Sequence, residues 1–212
     1  MARGRRKAED PVTARRILAA AEQHFAAQGL EGARTEEIAM AAHANKAMLY
    51  YYFGNKRRLH RAVLENLLRQ LRSGVLAPPA KKLSAKERFF GYVSGYFDFL
   101  ATHPNYPRLV QREVLQSRPN FDWMAREYFK PLVHGLASSV SEGVASGEFR
   151  DVDPEQTALI TLGMTTSYFA GATILSEVVG KNLLTNPAVA ARKRALLDFL
   201  NHAIVRQGAK PR

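Results

Sequence analysis

The sequence has 212 residues, of which 46% are hydrophobic, and it contains no cysteine. This length and apolar content suffice for a folded globular protein with one large domain or two small ones. The lack of cysteine excludes disulfides, thiolate metal sites and thiol nucleophiles, and it makes a reducing cytoplasm the simplest location. The basic start is followed by Glu9, Asp10 and Pro11 rather than by an apolar run, so no signal peptide is predicted.

The charge is unevenly distributed along the chain. The sequence carries 31 Lys and Arg against 19 Asp and Glu, a net charge of +12. Residues 1–72 hold 14 of the basic and 7 of the acidic residues, and therefore more than half of the excess. This distribution favours a small basic domain that binds a polyanion, followed by a larger domain with another role. A generally basic, solvated surface is the alternative interpretation.

Helix signals recur along the chain, whereas alternating strand patterns between turns are scarce. We therefore predict an all-α fold with about nine helices. Thr13 is the predicted N-cap of the first helix, and Gly29 ends it at a position that favours a left-handed residue. Further helices are predicted to follow Thr35, Asn45 and Asn55.

Two prolines at residues 78–79 indicate a domain boundary. The predicted organisation is a basic arm at residues 1–12, a first domain at 13–74 and a second domain at 80–207. In the second domain, Ser84 and Glu87 form a capping box, and Pro131 is expected to kink a long helix. The sequence DPEQ at residues 153–156 is the clearest helix start in the chain.

Residues 156–176 carry no charge, and by length alone such a run is typical of a membrane span. Its many Thr and Ser residues lower the hydropathy, so we predict a helix buried between other helices and no membrane partner. The last helix, at about residues 188–207, also has a broad apolar face. The two helices together predict a homodimer interface, and closure of a monomeric core is the alternative. Candidate interface residues are Gly163, Gly171, Leu196, Leu200, Ala203 and Ile204.

The segment TEEIAMAAHANKAMLYYYF, residues 35–53, contains two short predicted helices separated by HAN. Ile38 and Ala39 on the first helix can meet Leu49 and Phe53 on the second, which is helix-turn-helix geometry. His43 stands at the tight turn, where glycine is usual, and histidine tolerates the left-handed backbone better than most residues.

Here the sequence resembles the TetR family of transcriptional regulators, from about Thr13 to Val63. Its most specific part is LYYYFGNKRRL, and the matching positions are Ile38, Ala39, Leu49, Tyr50, Phe53 and Lys56. The resemblance implies a homodimeric DNA-binding regulator, usually a repressor. It also implies double-stranded operator DNA and a small-molecule effector as partners, with no cofactor.

Family positions that commonly contact DNA correspond here to Thr35, Lys46, Tyr50, Tyr51, Tyr52 and Lys56. Asn45 and Ala47 complete the candidate set, because N-terminal residues of a recognition helix can reach the groove edges. Ala47 replaces a frequent glycine. The basic residues at 3–6 resemble arms that enter an A·T-rich minor groove, and a frayed basic terminus is the alternative.

A helical wheel separates the aromatic run. Leu49 and Phe53 point into the core, Tyr51 projects roughly opposite to them, and Tyr50 and Tyr52 lie on the flanks. Outward tyrosines suit phosphate or groove contacts. Tyr50 is equally compatible with packing on the first helix.

The second domain contains the candidates for an effector pocket. They are Tyr92, Tyr96, Phe97, Trp123, Met124, Tyr128, His134, Met164, Tyr168 and Phe169. Because an aromatic stripe at helical spacing is more often core, fewer than half of them are expected to line a cavity, and His134 is expected to be a core histidine.

Enzyme signatures are not apparent in the sequence. We find no HExxH, no GxSxG, no phosphate-binding glycine loop and no carboxylate cluster, so no catalytic residue or metal site is predicted. The remaining alternative is a basic helical module that binds a protein partner or an anionic membrane surface.

Overall fold

The described residues of the computed structural model, 11–76, 83–115 and 120–207, form a chain of helices. The first four are α1 (Pro11–Gly32), α2 (Thr35–Ala41), α3 (Lys46–Phe53) and α4 (Lys56–Val75). The others are α5 (Ala85–Thr102), α6 (Tyr106–Leu115), α7 (Phe121–Met124), α8 (Lys130–Ser146), α9 (Pro154–Ala170), α10 (Ala172–Val179) and α11 (Asn186–Ile204). A π-helical turn, Ala125–Phe129, joins α7 to α8.

The all-α prediction is confirmed, and the described residues contain two α-helices more than the predicted nine. The very short α7 and the separate α10 account for the difference, because neither has a distinct start signal in the sequence. Of the predicted basic arm at residues 1–12, residues 1–10 lie outside the described residues, whereas Pro11 and Val12 belong to α1. The predicted boundary at 78–79 also lies outside the described residues.

Several helix starts follow the predicted capping chemistry. The side chains of Asn45 and Asn55 accept hydrogen bonds from the main-chain N–H groups three residues on, at 2.8 and 2.9 Å. Ser84 and Glu87 form the complete capping box, and Asp153 caps α9. These side chains satisfy main-chain donors that the first helical turn leaves without partners. The local sequence therefore sets where each of these helices begins.

The first helix differs from the prediction at its start. It begins at Pro11, and Thr13 lies buried inside its first turn rather than at the N-cap. Proline suits the first helical position because its fixed φ is helical and its missing N–H is not needed there. Gly29 has a positive φ of 73° and interrupts the helical conformation as predicted.

One apolar core runs through both halves of the chain. Ile17 and Phe25 of α1, Leu49 of α3 and Leu68 of α4 are fully buried, and the same cluster continues to Phe97 of α5. The central α5 packs against α4, α8, α9 and α11. Because the core is continuous, a shift in the C-terminal helices can reach the N-terminal ones through packed side chains.

The predicted kink before Pro131 takes the form of the π-helical turn at Ala125–Phe129. Proline has no N–H, and its ring clashes with the carbonyl four residues earlier, that of Glu127 inside this turn. The wider turn accommodates both constraints and carries Phe129 toward α6.

The long uncharged run is divided between two helices. Gly171 ends α9, and α10 leaves it at an angle of 73°. Among the described residues no single helix is long and apolar enough to cross a membrane. Only the bent pair α9–α10, taken together, has that length and hydropathy.

Three of the four predicted dimer-interface residues of α11 belong instead to the core of the subunit. Leu196, Leu200 and Ile204 are buried among residues of the same chain. The prediction was wrong for these three because an apolar face cannot reveal from sequence which surface covers it, and for the half-buried Ala203 it stays a prediction. Gly163 is exposed on α9, whereas Gly171 lies at the bend.

Gly143 of α8 contacts an aromatic ring so closely that no side chain fits. A Cβ atom there would lie 2.2 Å from Cδ2 of Phe149, a fully buried ring that packs on Phe89. We expect Gly143→Ala to lower the free energy of unfolding by about 1–3 kcal/mol, since overpacking displaces this ring. Gly91→Ala on α5, where a Cβ meets open space, is the control and is expected to stabilise the helix slightly. Chemical denaturation of both variants measures the difference, and equal stabilities would contradict the close packing.

Candidate nucleic-acid interface and ligand cavity

Helices α2 and α3 form the helix-turn-helix that the sequence predicts. Ile38, Ala39 and Leu49 are buried where the two helices cross, and the small side chain of Ala39 permits the close approach. The turn between them places His43 at a positive φ of 49°. The N–H of His43 donates to Met40 O at 3.0 Å, which closes the turn. The backbone thus adopts the left-handed conformation despite the missing glycine.

The aromatic run of α3 divides as the helical wheel predicts. Leu49 is fully buried, Phe53 is half-buried against the core, and Tyr51 is 68% exposed. The Tyr52 ring is half-buried and meets the Tyr51 ring edge-on at 5.2 Å between centroids. Tyr51 is therefore the most exposed aromatic side chain of α3.

Tyr50 lies on the flank of α3 next to the start of α2. Its hydroxyl is 3.4 Å from Oγ1 of Thr35, and its ring is 39% exposed. Tyr50 thus both packs on α2 and reaches solvent. Neither of its two predicted roles, an outward contact to DNA or packing within the domain, describes it completely. The Thr35 side chain is buried beneath Tyr50. An anion at this position would therefore be bound by the main-chain N–H groups at the N-terminus of α2 and not by the Thr35 hydroxyl.

Lys46 at the start of α3 forms an ion pair with Glu36 of α2. The hydrogen bond from Lys46 lowers the pKa of Glu36, and the same bond raises the pKa of Lys46. Both groups are exposed, and exposed pairs contribute little to stability, so Lys46 can exchange Glu36 for a phosphate at small cost. Asn45 and Ala47, which flank Lys46, are exposed as well.

The first turn of α4 is the most basic part of this face. Lys56 donates to the main-chain oxygens of Glu31 and Ala33, both at 3.2 Å, so it also fastens α4 to the end of α1. The exposed Arg57 and Arg58 stand beside it at a depression of about 480 Å³. These two arginines were not among the predicted DNA contacts, although the run NKRRL at a helix start is a sequence signal for them.

A second site is a cavity of about 380 Å³ between α5, α6, α8 and α9. Its walls are mostly apolar, and none of the lining residues carries a charge: Tyr96, Tyr106, Pro107, Val110, Gln111, Val114, Phe129, Leu132, Val133, Leu162, Gly163, Thr166 and Ala170. The volume is at the lower end of the range of about 300–1,000 Å³ found for small-molecule sites.

Of the predicted pocket residues, only Tyr96 lines this cavity. Phe97, Met124, Tyr168 and Phe169 are core residues, as is usual for aromatic and apolar side chains at helical spacing. The other predicted residues, Tyr92, Trp123, Tyr128, His134 and Met164, do not line it either.

His134 is exposed rather than buried, which corrects its prediction as a core histidine.

The sequence signal that could have identified the wall of the cavity is on α6. There Tyr106, Val110 and Val114 recur every four residues after Pro104 and thus form one stripe.

Helix α6 connects the cavity to the N-terminal helices. Beside this stripe, α6 also buries Glu113 next to His60 of α4, with 3.7 Å between the carboxylate and the ring nitrogen. Asn120 donates to the same carboxylate at 3.0 Å and accepts from Arg61 at 3.0 Å. Arg112 donates to the main-chain oxygen of Ala27 at 3.1 Å. A displacement of α6 must therefore move α1 and α4 or break these bonds.

Comparison with known families gives two matches along the chain. Residues 17–63 match the model of bacterial regulatory proteins, tetR family, and residues 87–200 match the tetracyclin repressor-like C-terminal domain. The second match alone covers more than half of the chain. The chain belongs to the tetR family. The resemblance seen in the sequence is thereby confirmed.

Individual relatives agree with this assignment. The HTH-type transcriptional repressor SCO4008 of Streptomyces coelicolor is 38% identical to this tetR-family chain over 110 residues. The match spans 51% of this chain and 54% of SCO4008, about half of that relative's length.

Solved structures share the same fold at lower identity. The ketosteroid transcriptional regulator KstR2 of Mycobacterium tuberculosis superposes with a TM-score of 0.74 at 20% identity, covering 91% of this chain and 96% of that chain. AibR, solved in complex with isovaleryl coenzyme A and operator DNA, superposes with a TM-score of 0.73 at 19% identity, covering 88% and 97%.

Proposed function

We propose that the protein is a homodimeric transcriptional repressor of the cytoplasm that binds a palindromic operator and leaves it when a small molecule occupies the cavity. The α2–α3 unit carries the proposal, because it presents Tyr51 outward between the exposed cations of α3 and α4. The proposal assigns the protein no catalytic role.

The proposed DNA contacts are of two kinds. Tyr51, with Ala47 and Asn45 near the start of α3, is placed to meet base edges when α3 enters the major groove. Lys46, Tyr50, Tyr52, Lys56 and the N-terminus of α2 at Thr35 flank this helix as phosphate contacts. We add Arg57 and Arg58, whose exposed guanidinium groups stand at the N-terminus of α4.

The proposed dimer surface consists of exposed apolar residues on α9, α10 and α11. Its members are Leu159, Ile160, Gly163, Ile174, Leu175, Val178, Val179 and Phe199. Helix α10 contacts α9, and Arg192 of α11 stands 5.2 Å from the ring centroid of Tyr168 on α9. An apolar surface of this kind is typical of a subunit interface. Two subunits joined there present two copies of α3, as a palindromic operator requires.

Selection of bound fragments from random duplex DNA tests this function, and an inverted repeat is the expected result. Gel shifts on the selected duplex are expected to show affinity that falls steeply with salt concentration. Binding to anionic phosphatidylserine vesicles without binding to duplex DNA would instead favour the basic-module alternative.

The Arg57 contact has its own expected result. Arg57→Ala should make the fall of log affinity with log salt concentration less steep, by about 1 in slope for each DNA-bound subunit, because one phosphate contact is lost. Arg69→Ala, an exposed arginine about three turns further along α4, is the matched control and should leave the slope unchanged. Equal slopes for the two variants would remove Arg57 from the DNA contacts.

A further inference from the structure

One acidic side chain stands among the proposed DNA contacts of α2 and α3. Glu36 lies in the first turn of α2, and one oxygen of its carboxylate accepts a hydrogen bond from the ammonium group of Lys46 at the start of α3. The other oxygen accepts one from the hydroxyl of Thr35 at 3.2 Å. Glu36 therefore binds the side chains of two residues that the proposed function places next to DNA phosphates.

Both members of the Lys46–Glu36 pair are open to solvent. The side chain of Lys46 is 49% exposed and that of Glu36 is 57% exposed. The ammonium group also lies 5.8 Å from the centroid of the Tyr50 ring, another proposed phosphate contact. An anion that approaches this side of α3 thus meets the ammonium group and the carboxylate together.

The carboxylate and a DNA phosphate suit the same position beside Lys46. Both are anions whose oxygens accept hydrogen bonds from an ammonium group. The hydrogen bond between the two side chains lowers the pKa of Glu36 and raises that of Lys46, so both groups are charged at neutral pH. A phosphate bound to Lys46 beside Glu36 would bring two anions together on one cation, and like charges repel at this range. The phosphate therefore competes with the carboxylate for Lys46.

The basic start of α4 lacks such a competitor. Lys56 donates to two main-chain oxygens and not to a carboxylate. Within the part of the chain that the structure describes, Arg57 and Arg58 form no ion pair. These two guanidinium groups are available to phosphates directly, whereas Lys46 has to exchange one anion for another.

From these contacts we propose that Glu36 is an internal competitor of DNA at Lys46, and that each subunit releases this carboxylate when Lys46 binds an operator phosphate. The proposal rests on the proposed function for the contact between Lys46 and DNA, and it adds a residue that limits the affinity of that contact. Phosphates are the same in every duplex, so Glu36 lowers the affinity for operator and non-operator DNA alike.

Glu36→Gln tests the competition, because the amide retains the shape of the side chain and removes its charge. Gel shifts with the purified protein should show an affinity for the selected duplex that is raised about two- to fivefold for each bound subunit, the value of one exposed ion pair. A random duplex of equal length should gain by the same factor. An unchanged or lower affinity would contradict the proposal. A gain restricted to the selected duplex would contradict it too, since it would assign Glu36 to the bases.

Glu142→Gln is the matched control for the change in charge. Glu142 of α8 is 62% exposed and forms an ion pair with Arg88 of α5, so its substitution also removes one negative charge and frees one cation. Neither helix carries a proposed DNA contact, and salt screens distant charges, so the affinity should stay at the parent value. An equal gain in this variant would attribute the effect of Glu36→Gln to net charge and refute the competition.

A double-mutant cycle with Lys46→Ala shows whether the two groups separate in the complex. If Lys46 exchanges Glu36 for a phosphate, Lys46→Ala should cost about two- to fivefold more affinity for each subunit in the Glu36→Gln background than in the parent. Equal losses in the two backgrounds would show that there is no competition. A larger loss in the parent would show that Lys46 stays with Glu36 in the complex and only neutralises it, which also rejects the proposal.

Melting temperatures of the DNA-free variants test a structural explanation. An exposed ion pair contributes little to stability, so Glu36→Gln and Lys46→Ala should melt within about 3 °C of the parent. A larger fall would mean that the pair holds α2 against α3, and this structural role would replace the competition.

DNA binding by the parent protein separates this proposal from the function on which it depends. If the parent shifts its selected duplex and Glu36→Gln binds with the same affinity, the competition is wrong and the DNA-binding function stands. If the parent shifts no duplex of any sequence, the proposed function is wrong, and the competition with DNA is wrong with it.

Discussion

Leu200→Asp is expected to unfold the subunit, whereas the same substitution at the adjacent Phe199 is expected to separate two folded subunits. Leu200 is 2% exposed and Phe199 is 58% exposed, although they are neighbours on α11. Removing a buried leucine side chain costs about 2–5 kcal/mol, and a buried carboxylate without a partner adds to this cost. The total approaches the whole stability of a typical domain, about 5–15 kcal/mol.

At Phe199 the same carboxylate stays in water in the separated subunit and is buried only in the dimer. Circular dichroism should therefore report a native helical spectrum for Phe199→Asp, and light scattering should report half the parent mass. Leu200→Met is the control for the core position, since a swap of similar volume costs less than about 1.5 kcal/mol. A folded, dimeric Phe199→Asp would exclude this side chain from the subunit interface.

Tyr51→Ala is expected to weaken operator binding by about 10–100-fold for each half-site, without a measurable change in melting temperature. The side chain is 68% exposed on the outer face of α3, so its removal leaves no cavity in the core. In the proposed complex each half-site loses one groove contact, and such contacts contribute about 1–3 kcal/mol each.

Two further variants define what Tyr51 contributes. Met40→Ala on α2 also truncates an exposed apolar side chain and should leave operator affinity unchanged. Tyr51→Phe separates the hydroxyl from the ring, and full affinity in this variant would assign the contact to the ring alone. A fall of several degrees in melting temperature for Tyr51→Ala would show that the ring supports the fold rather than the DNA contact.

Local chemistry made the N-terminal helices predictable from sequence. Asn45 and Asn55 each supply an acceptor for a main-chain donor three residues on, so the starts of α3 and α4 depend on neighbours in the chain. The period of 3.6 residues likewise separates Leu49 from Tyr51 before any tertiary contact is known. The helix-turn-helix and the outward face of α3 could therefore be predicted.

Side-chain contacts between different helices could not be predicted from such local patterns. The ion pair of Lys46 with Glu36 and the attachment of Lys56 to the end of α1 join residues that local patterns do not relate. For Lys56 this matters to function, since its ammonium group has structural partners in addition to any phosphate. The sequence identifies the cations of the interface, and the packing decides which of them are engaged within the protein.

The cavity illustrates the same limit for aromatic residues. Among the aromatic side chains predicted to line an effector pocket, Tyr96 lines the cavity, whereas Phe97 beside it is core. Adjacent residues on a helix point about 100° apart, and only the neighbouring helices determine which direction leads to a void. Tyr106 also lines the cavity, although it was not among the predicted residues, because the neighbouring helices decide which side chains of α6 meet the void.

The sequence by itself determined the all-helical fold, the helix-turn-helix and the family, because these depend on short-range periodicity, capping and a fixed motif. The tertiary structure decided which apolar face of α11 is core, which is exposed, and where the cavity lies. In the sequence alone, Leu200 and Phe199 are two adjacent hydrophobic residues with nothing to distinguish them. Only the packing of α11 on α5 buries one and exposes the other, because burial is a property of two surfaces in contact and not of one residue.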